Sequence, residues 1–248
     1  MIFIKTEQEI QIMAEAGKIL ADIMRELKKE VKIGVTTQEL NKLAEELILK
    51  SGTKPGFLNY NGFPAVMCTS VNEVIVHQIP SDYALKNGDI LSLDLGLIHN
   101  GYYSDMAITV PVGEISREVQ VLIRAVKKSL NIGIKKARPG NTIGDIGNTI
   151  QRYLEKRGLN VVKELCGHGI GKDLHEDPEV PNYGKRKKGE VLKQGMVLCL
   201  EPMASLGKAK IKKASDGFGF KTIDDSLSAH SEHMIAITQN GSRVLTET

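Results

Sequence analysis

Four leucines at alternating positions, Leu91, Leu93, Leu95 and Leu97, constrain this chain more than any other stretch. Between them lie Ser92, Asp94 and Gly96. That period of two is a strand with one greasy face. Asn100-Gly101 follows, a strong hairpin signal because both central residues of a two-residue turn adopt positive φ. With that turn, residue 99 faces 102 and residue 96 faces 105. Asp105 then shares a face with Asp94, diagonally across the ladder. Diagonal neighbours sit roughly 7–8 Å apart, close enough to share a metal ion or a metal pair. Without a cation the two carboxylates repel, so the rest of the chain should supply further ligands.

The 248 residues suffice for one large domain or two small ones. A hydrophobic content of 41% and a charged content of 25% place the chain among ordinary globular proteins. A net charge of +3 is too small to argue for nucleic acid. No apolar run reaches the roughly 18 residues of a membrane span. The start, Met1-Ile-Phe-Ile-Lys-Thr-Glu-Gln, lacks the plan of a signal peptide. Cys68, Cys166 and Cys199 are odd in number and not in CxxC spacing, which argues against disulfides and a thiolate zinc site. A reducing, cytoplasmic setting is expected.

Helical spacing predicts a first helix over 7–31, ended by Gly34. A second, capped by Thr36-Thr37, runs over 38–50 and stops at Gly52. Strands are expected over 65–70 and 74–77, ahead of the hairpin. Two more helices, over about 116–136 and 143–157, follow, the last stopped by Gly158. This order repeats. Gly34 matches Gly140, Gly52 matches Gly158, Asp94 matches Glu201 and Asp105 matches Glu232, at offsets of 106, 106, 107 and 127. The jump at the end means some 20 extra residues between Glu201 and Glu232, where Lys208–Lys213 and Asp216-Gly217 lie. Two such halves, about 1–110 and 111–248, would close into one domain with helices outside and four carboxylates inside.

Asp94, Asp105, Glu201 and Glu232 each sit in or beside an apolar strand. Buried carboxylates must be protonated, paired or metal-bound. His168 and His175 lie in Gly167-His-Gly-Ile-Gly-Lys-Asp-Leu-His-Glu-Asp-Pro178, whose glycines let backbone and metal approach closely. His77 ends a strand ahead of the first hairpin. His230 falls on the Glu232 face, His233 points away, and His99 is expected at solvent. An oxygen-rich site with few imidazoles suits a pair of Mn(II), Fe(II), Co(II) or Zn(II) ions. Such a pair lowers the pKa of a water and polarises a carbonyl, the chemistry of amide or phosphate-ester hydrolysis. HExxH is absent, which excludes a zincin. The basic runs Lys185–Lys188 and Lys208–Lys213 read first as solvated loops, with weak contact to RNA or a ribosomal surface as the alternative.

These motifs resemble those of type I methionine aminopeptidases. Their fold is α+β: the duplicated pita-bread fold, two pseudo-symmetric halves with a central antiparallel sheet covered by helices. It is shared with aminopeptidase P, prolidase and creatinase. The carriers are Thr69–His77, Asp89–Asp94, Gly101–Asp105, Gly167–Pro178, Gly195–Met203 and Ser228–His233, spread over nearly the whole chain. The resemblance implies Asp94, Asp105, His168, Glu201 and Glu232 as ligands of two divalent metal ions, with Asp105 and Glu232 bridging. It implies Glu201 as proton shuttle, His175 at the oxyanion and His77 on the substrate backbone. It places Phe57, Tyr60, Phe63, Cys68, Leu174 and Phe218 around the methionine side chain. Leu174 and Phe218 stand where an aromatic and a tryptophan are usual, and Gln78 where a glycine is usual; the first two are expected to broaden tolerance at the first residue.

The implied activity is removal of the N-terminal methionine from nascent chains when the second residue is small. Ile2 is bulky, so the chain is expected to keep its own Met1. The short gap between Glu201 and Glu232, and the lack of a zinc-finger or targeting extension, favour a bacterial-type, monomeric cytosolic enzyme. The rival readings are a prolidase or Xaa-Pro aminopeptidase, a non-catalytic pita-bread peptide-binding module and, more distantly, a phosphoesterase, weakened by the lack of arginine near the motifs.

Overall fold

The structure, a computed structural model, describes residues 1–247; Thr248, the end of the expected domain, lies outside the described residues. Helix α1 spans Glu7–Glu30, and Thr6 caps it in a reciprocal box with Glu9. Helix α2 spans Thr37–Lys50 and is capped by Thr36 alone, boxed with Glu39. Thr37, expected to share the cap, instead donates its hydroxyl to Ser81 O. Helix α3 spans Arg117–Lys136 behind Ser116, and α4 spans Ile143–Glu155 behind Thr142, boxed with Asp145. α4 stops two residues short of the expected Arg157, because Gly158 turns the chain at φ 74°.

The duplication is visible in small details. Thr36 pairs with Ala84, and Thr142 with Val191, as single antiparallel bridges at matching places in the two halves. Gly34 and Gly140 carry φ of 88° and 82°, so both helix pairs are joined by a turn that L residues resist.

The first hairpin pairs Ile90–His99 with Tyr102–Pro111. Asn100 and Gly101 have φ of 49° and 81°, and His99 opposes Tyr102, so Gly96 opposes Asp105 as the turn chemistry demands. Leu91, Leu93, Leu95 and Leu97 are fully buried in one core with Leu20, Met24 and Leu27 of α1 and Leu40 and Ala44 of α2. The second half repeats this. Val197–Leu200 pairs with His233–Thr238, and Leu198 and Leu200 share a core with Leu122 and Val126 of α3 and Ile146 and Ile150 of α4. The polar faces of the two sheets meet in the middle. Glu232 N donates to Ala107 O at 2.8 Å, and the Thr109 hydroxyl donates to His230 O at 2.7 Å.

The extra residues between Glu201 and Glu232 are not a bulge on the surface. Ile211–Lys213 and Phe220–Thr222 form a small hairpin that pairs with Val74–Val76. Two strands shift from expectation: 65–70 becomes Met67–Val71, and 74–77 stops at Val76 because His77 adopts a φ of 62°. His99, expected at solvent, is half-buried with Nε2 3.7 Å from Glu15. It leans back against α1.

Because Leu93 is at the centre of the first greasy face, Leu93→Ala is expected to destabilise the chain by about 3 kcal/mol, within the roughly 2–5 kcal/mol of buried leucine truncations. Urea unfolding of the two chains measures it.

Candidate active site

Five donors converge at the seam between the halves. Asp94 and Asp105 come from opposite strands of the first hairpin. Glu201 follows Val197–Leu200, and Glu232 sits in the break between Ser228–His230 and His233–Thr238. His168 lies on Cys166–Gly169, opposite Cys199. Gly167 makes that approach feasible, since a Cβ there would lie 2.3 Å from Cys199 O. His168 Nδ1 lies 2.8 Å from Gly169 O, which turns Nε2 inward, 3.6 Å from Glu201 and 3.9 Å from Asp105.

All thirteen residues expected at the site line one cleft of about 160 Å³, room for one unbranched side chain rather than a drug-sized ligand. The carboxylates and His168 form one end. Phe57, Tyr60, Phe63, Cys68, Leu174 and Phe218 form the apolar wall. Gly96 leaves space for the Phe57 ring, which a Cβ would meet at 2.5 Å. Phe218 stacks edge-on against Phe63 at 5.5 Å. It is held there by Asp216, whose Oδ1 accepts from the Phe218 and Gly219 amides. His175 sits at the mouth, its ring edge-on to His168 at 4.3 Å and its Nδ1 2.8 Å from the Tyr60 hydroxyl. Gln78 turns away from the cleft and accepts from Val71 N.

Some neighbours were missed from sequence. Cys199 places its sulfur within 4.8 Å of donor atoms of Asp105, His168 and Glu232. The signal was there: Cys199 is two residues before Glu201 in an alternating strand. Asn61 also lines the cleft, from a loop with no periodicity to read. His230 is buried with Nε2 3.5 Å from Glu201, on the face expected, and His233 turns off to Thr246.

The electrostatics demand positive charge. Burial pushes Asp105, Glu201 and Glu232 well above the usual carboxylate range, and Asp94 up to about 6. The histidines do not answer this. Burial holds His168 down to about 3 and His77 down to about 4, and also lowers His230. Asp94 Oδ1, Asp105 Oδ1 and Glu232 Oε1 are buried with no hydrogen-bond partner. A hard oxygen-rich set with one neutral imidazole and orphaned lone pairs fits divalent cations.

A sequence description of metallopeptidase family M24 matches residues 11–239. The chain belongs to this family. It is 48% identical over 246 residues to the methionine aminopeptidase of Clostridium perfringens, and 47% identical over 246 residues to methionine aminopeptidase 1 of Bacillus subtilis, each covering 99% of both chains. The crystal structure of methionine aminopeptidase from Thermotoga maritima superposes with a TM-score of 0.98 at 41% identity, covering both chains completely. A prolidase from Pyrococcus horikoshii shares the fold at a TM-score of 0.79 and 25% identity, over 99% of this chain but 63% of its own. The fold is therefore the pita-bread fold of the M24 metallopeptidases, and the family uses divalent metal.

The raised carboxylates set a pH dependence. Below about pH 4 both folded and unfolded chains hold the Asp94 proton, so it costs nothing. As pH rises towards 6 the unfolded chain releases it first, and the metal-free fold loses stability, on the order of 3 kcal/mol from Asp94 when complete. In the presence of chelator, Asp94→Asn is expected to gain on the parental chain as pH goes from 4 to 7.5. Urea midpoints across that range measure the gap.

Proposed function

We propose that this chain removes the N-terminal methionine from nascent polypeptides whose second residue is small. The observation that carries it is the juxtaposition of a five-donor oxygen-rich cluster with a narrow, thioether-sized apolar wall in one cleft. Asp94, Asp105, His168, Glu201 and Glu232 would hold two divalent ions. Co, Mn, Fe(II) and Zn all suit the donors. When bound, the ions acidify the attacking water and draw electron density from the scissile carbonyl.

The chain's own side chains do the rest. The substrate methionine packs against Phe63, Cys68 and Phe218, with Phe57, Tyr60 and Leu174 completing the wall. Glu201, on the cleft 3.6 Å from His168, takes a proton from the water and returns it to the leaving amine. The Tyr60 hydroxyl lies 2.8 Å from His175 Nδ1; in the tautomer whose Nδ1 accepts from it, Nε2–H is left to donate to the oxyanion. His77, at a strained positive φ beside the cleft, holds the substrate backbone.

A single catalytic domain working as a monomer in the cytosol is the simplest setting; among the described residues no helix is long and apolar enough to cross a membrane. The basic loops read first as solvated surface, with weak ribosome contact the alternative. Near Lys208–Lys213, Asp225 already pairs with Lys212 and Lys221 at 3.3 and 2.8 Å.

Metal-depleted protein resupplied with each divalent ion in turn is expected to release methionine from Met-Ala-Ser and to leave Xaa-Pro peptides intact. His175→Ala is expected to lower kcat by about 100- to 1,000-fold, the usual loss for one oxyanion donor. Cleavage of Xaa-Pro peptides in preference would support the prolidase reading instead.

A further inference from the structure

Lys5, ahead of α1, does not line the methionine-sized cleft, nor the adjoining pocket that Met1 and Phe3 share with His168 and His175, yet it is fixed to the turn that carries His175. Lys5 N donates to Gly195 O at 2.8 Å. The Lys5 side chain then runs inward and its ammonium pairs with the Glu176 carboxylate, both side chains only 5% exposed. Among the described residues Lys5 is the one cation within ion-pair distance of Glu176. The other oxygen of Glu176 accepts from Lys172 N at 2.9 Å and from Asp173 N at 3.4 Å. Gly171 makes room for the pair: a Cβ there would lie 2.4 Å from Glu176 Oε1 and 2.7 Å from Lys5 Cε. Tyr103 N holds the same glycine through its carbonyl at 2.8 Å. Glu176 thus closes the turn Gly171–Glu176, which contains Leu174 and His175, and Lys5 neutralises the residue that closes it. Met1 adds an ion pair to Asp177, but both groups are exposed and such pairs contribute little.

We propose that Lys5 is a positioning residue for the reaction, acting through Glu176 to hold His175 at the scissile carbonyl. This rests on the functional reading above. Removing the Lys5 charge leaves a buried carboxylate uncompensated. Glu176 then turns towards water and releases the Lys172 and Asp173 amides. His175 then keeps its contacts with Tyr60 and with the His168 ring but loses the closed turn beneath it, and a misplacement of about 1 Å can cost about 100-fold in rate.

The test measures methionine release from Met-Ala-Ser by the metal-loaded full chain. Lys5→Met and Lys5→Arg are made in the parental and His175→Ala backgrounds, with urea midpoints confirming folding. Lys5→Met is expected to lower kcat by about 10- to 100-fold with KM within about threefold. Lys5→Arg restores most of the rate. In the His175→Ala background Lys5→Met costs less than about twofold, because its effect passes through His175. An unchanged kcat, or the same fold-loss in both backgrounds, overturns the proposal. If Lys5→Met does not fold, Glu176→Gln replaces it and is read by the same two outcomes. A parental chain that releases no methionine overturns the functional reading and this proposal together; an active parental chain indifferent to Lys5→Met overturns this proposal alone.

Discussion

Four carboxylates at one seam, Asp94, Asp105 and Glu232 buried and Glu201 nearly so, set the terms for everything else in this molecule. Their mutual repulsion and lost hydration are too costly to bear as four negative charges. The neighbouring imidazoles are kept neutral by the same burial, so they bring donors and no charge. Protons or divalent cations must supply the balance. The helices, the greasy leucine faces and the glycines all serve to keep that seam dry and narrow.

The duplication delivers the carboxylates at little cost in design. Each half needs only a helix pair to cover one face of a hairpin, which leaves the other face free to carry acids inward. Symmetry is broken where function requires it. The additional residues of the second half form a hairpin on Val74–Val76 and place Phe218 in the cleft. They also brace the strand Val74–Val76, which leads into His77. Asp94 and Asp105 differ for a related reason: Asp105 lies beside the incoming His168 and Glu232, whereas Asp94 lies towards the first half's own sheet.

Much of this was legible in the chain. The hairpin register followed from Asn100-Gly101, the leucine face from a period of two, and the second half from constant offsets. Short-range rules of this kind carry over because tertiary packing agrees with them. What escaped depends on contacts between distant segments. Lys5 and Glu176 are 171 positions apart, and nothing in either's neighbourhood announces a buried pair. The half-burial of His99 comes from α1 crossing the hairpin tip. The positive φ of His77 breaks the strand just after Val76, and the apolar run Val74–Val76 gives no sign of it. The insertion looked like a lysine-rich loop because its strands are three residues long and only Thr222 among their residues is buried.

The direct test of the central claim is calorimetric. Mn(II) or Co(II) is titrated into metal-free protein near pH 6.5 in two buffers of different ionisation enthalpy, which separates proton release from binding heat. Carboxylates held neutral by burial must surrender protons to the incoming cations. The account therefore predicts net release of about one proton or more per chain, abolished or reduced in Asp105→Asn. Tight binding with no proton exchange, or no binding of divalent ions, would contradict it.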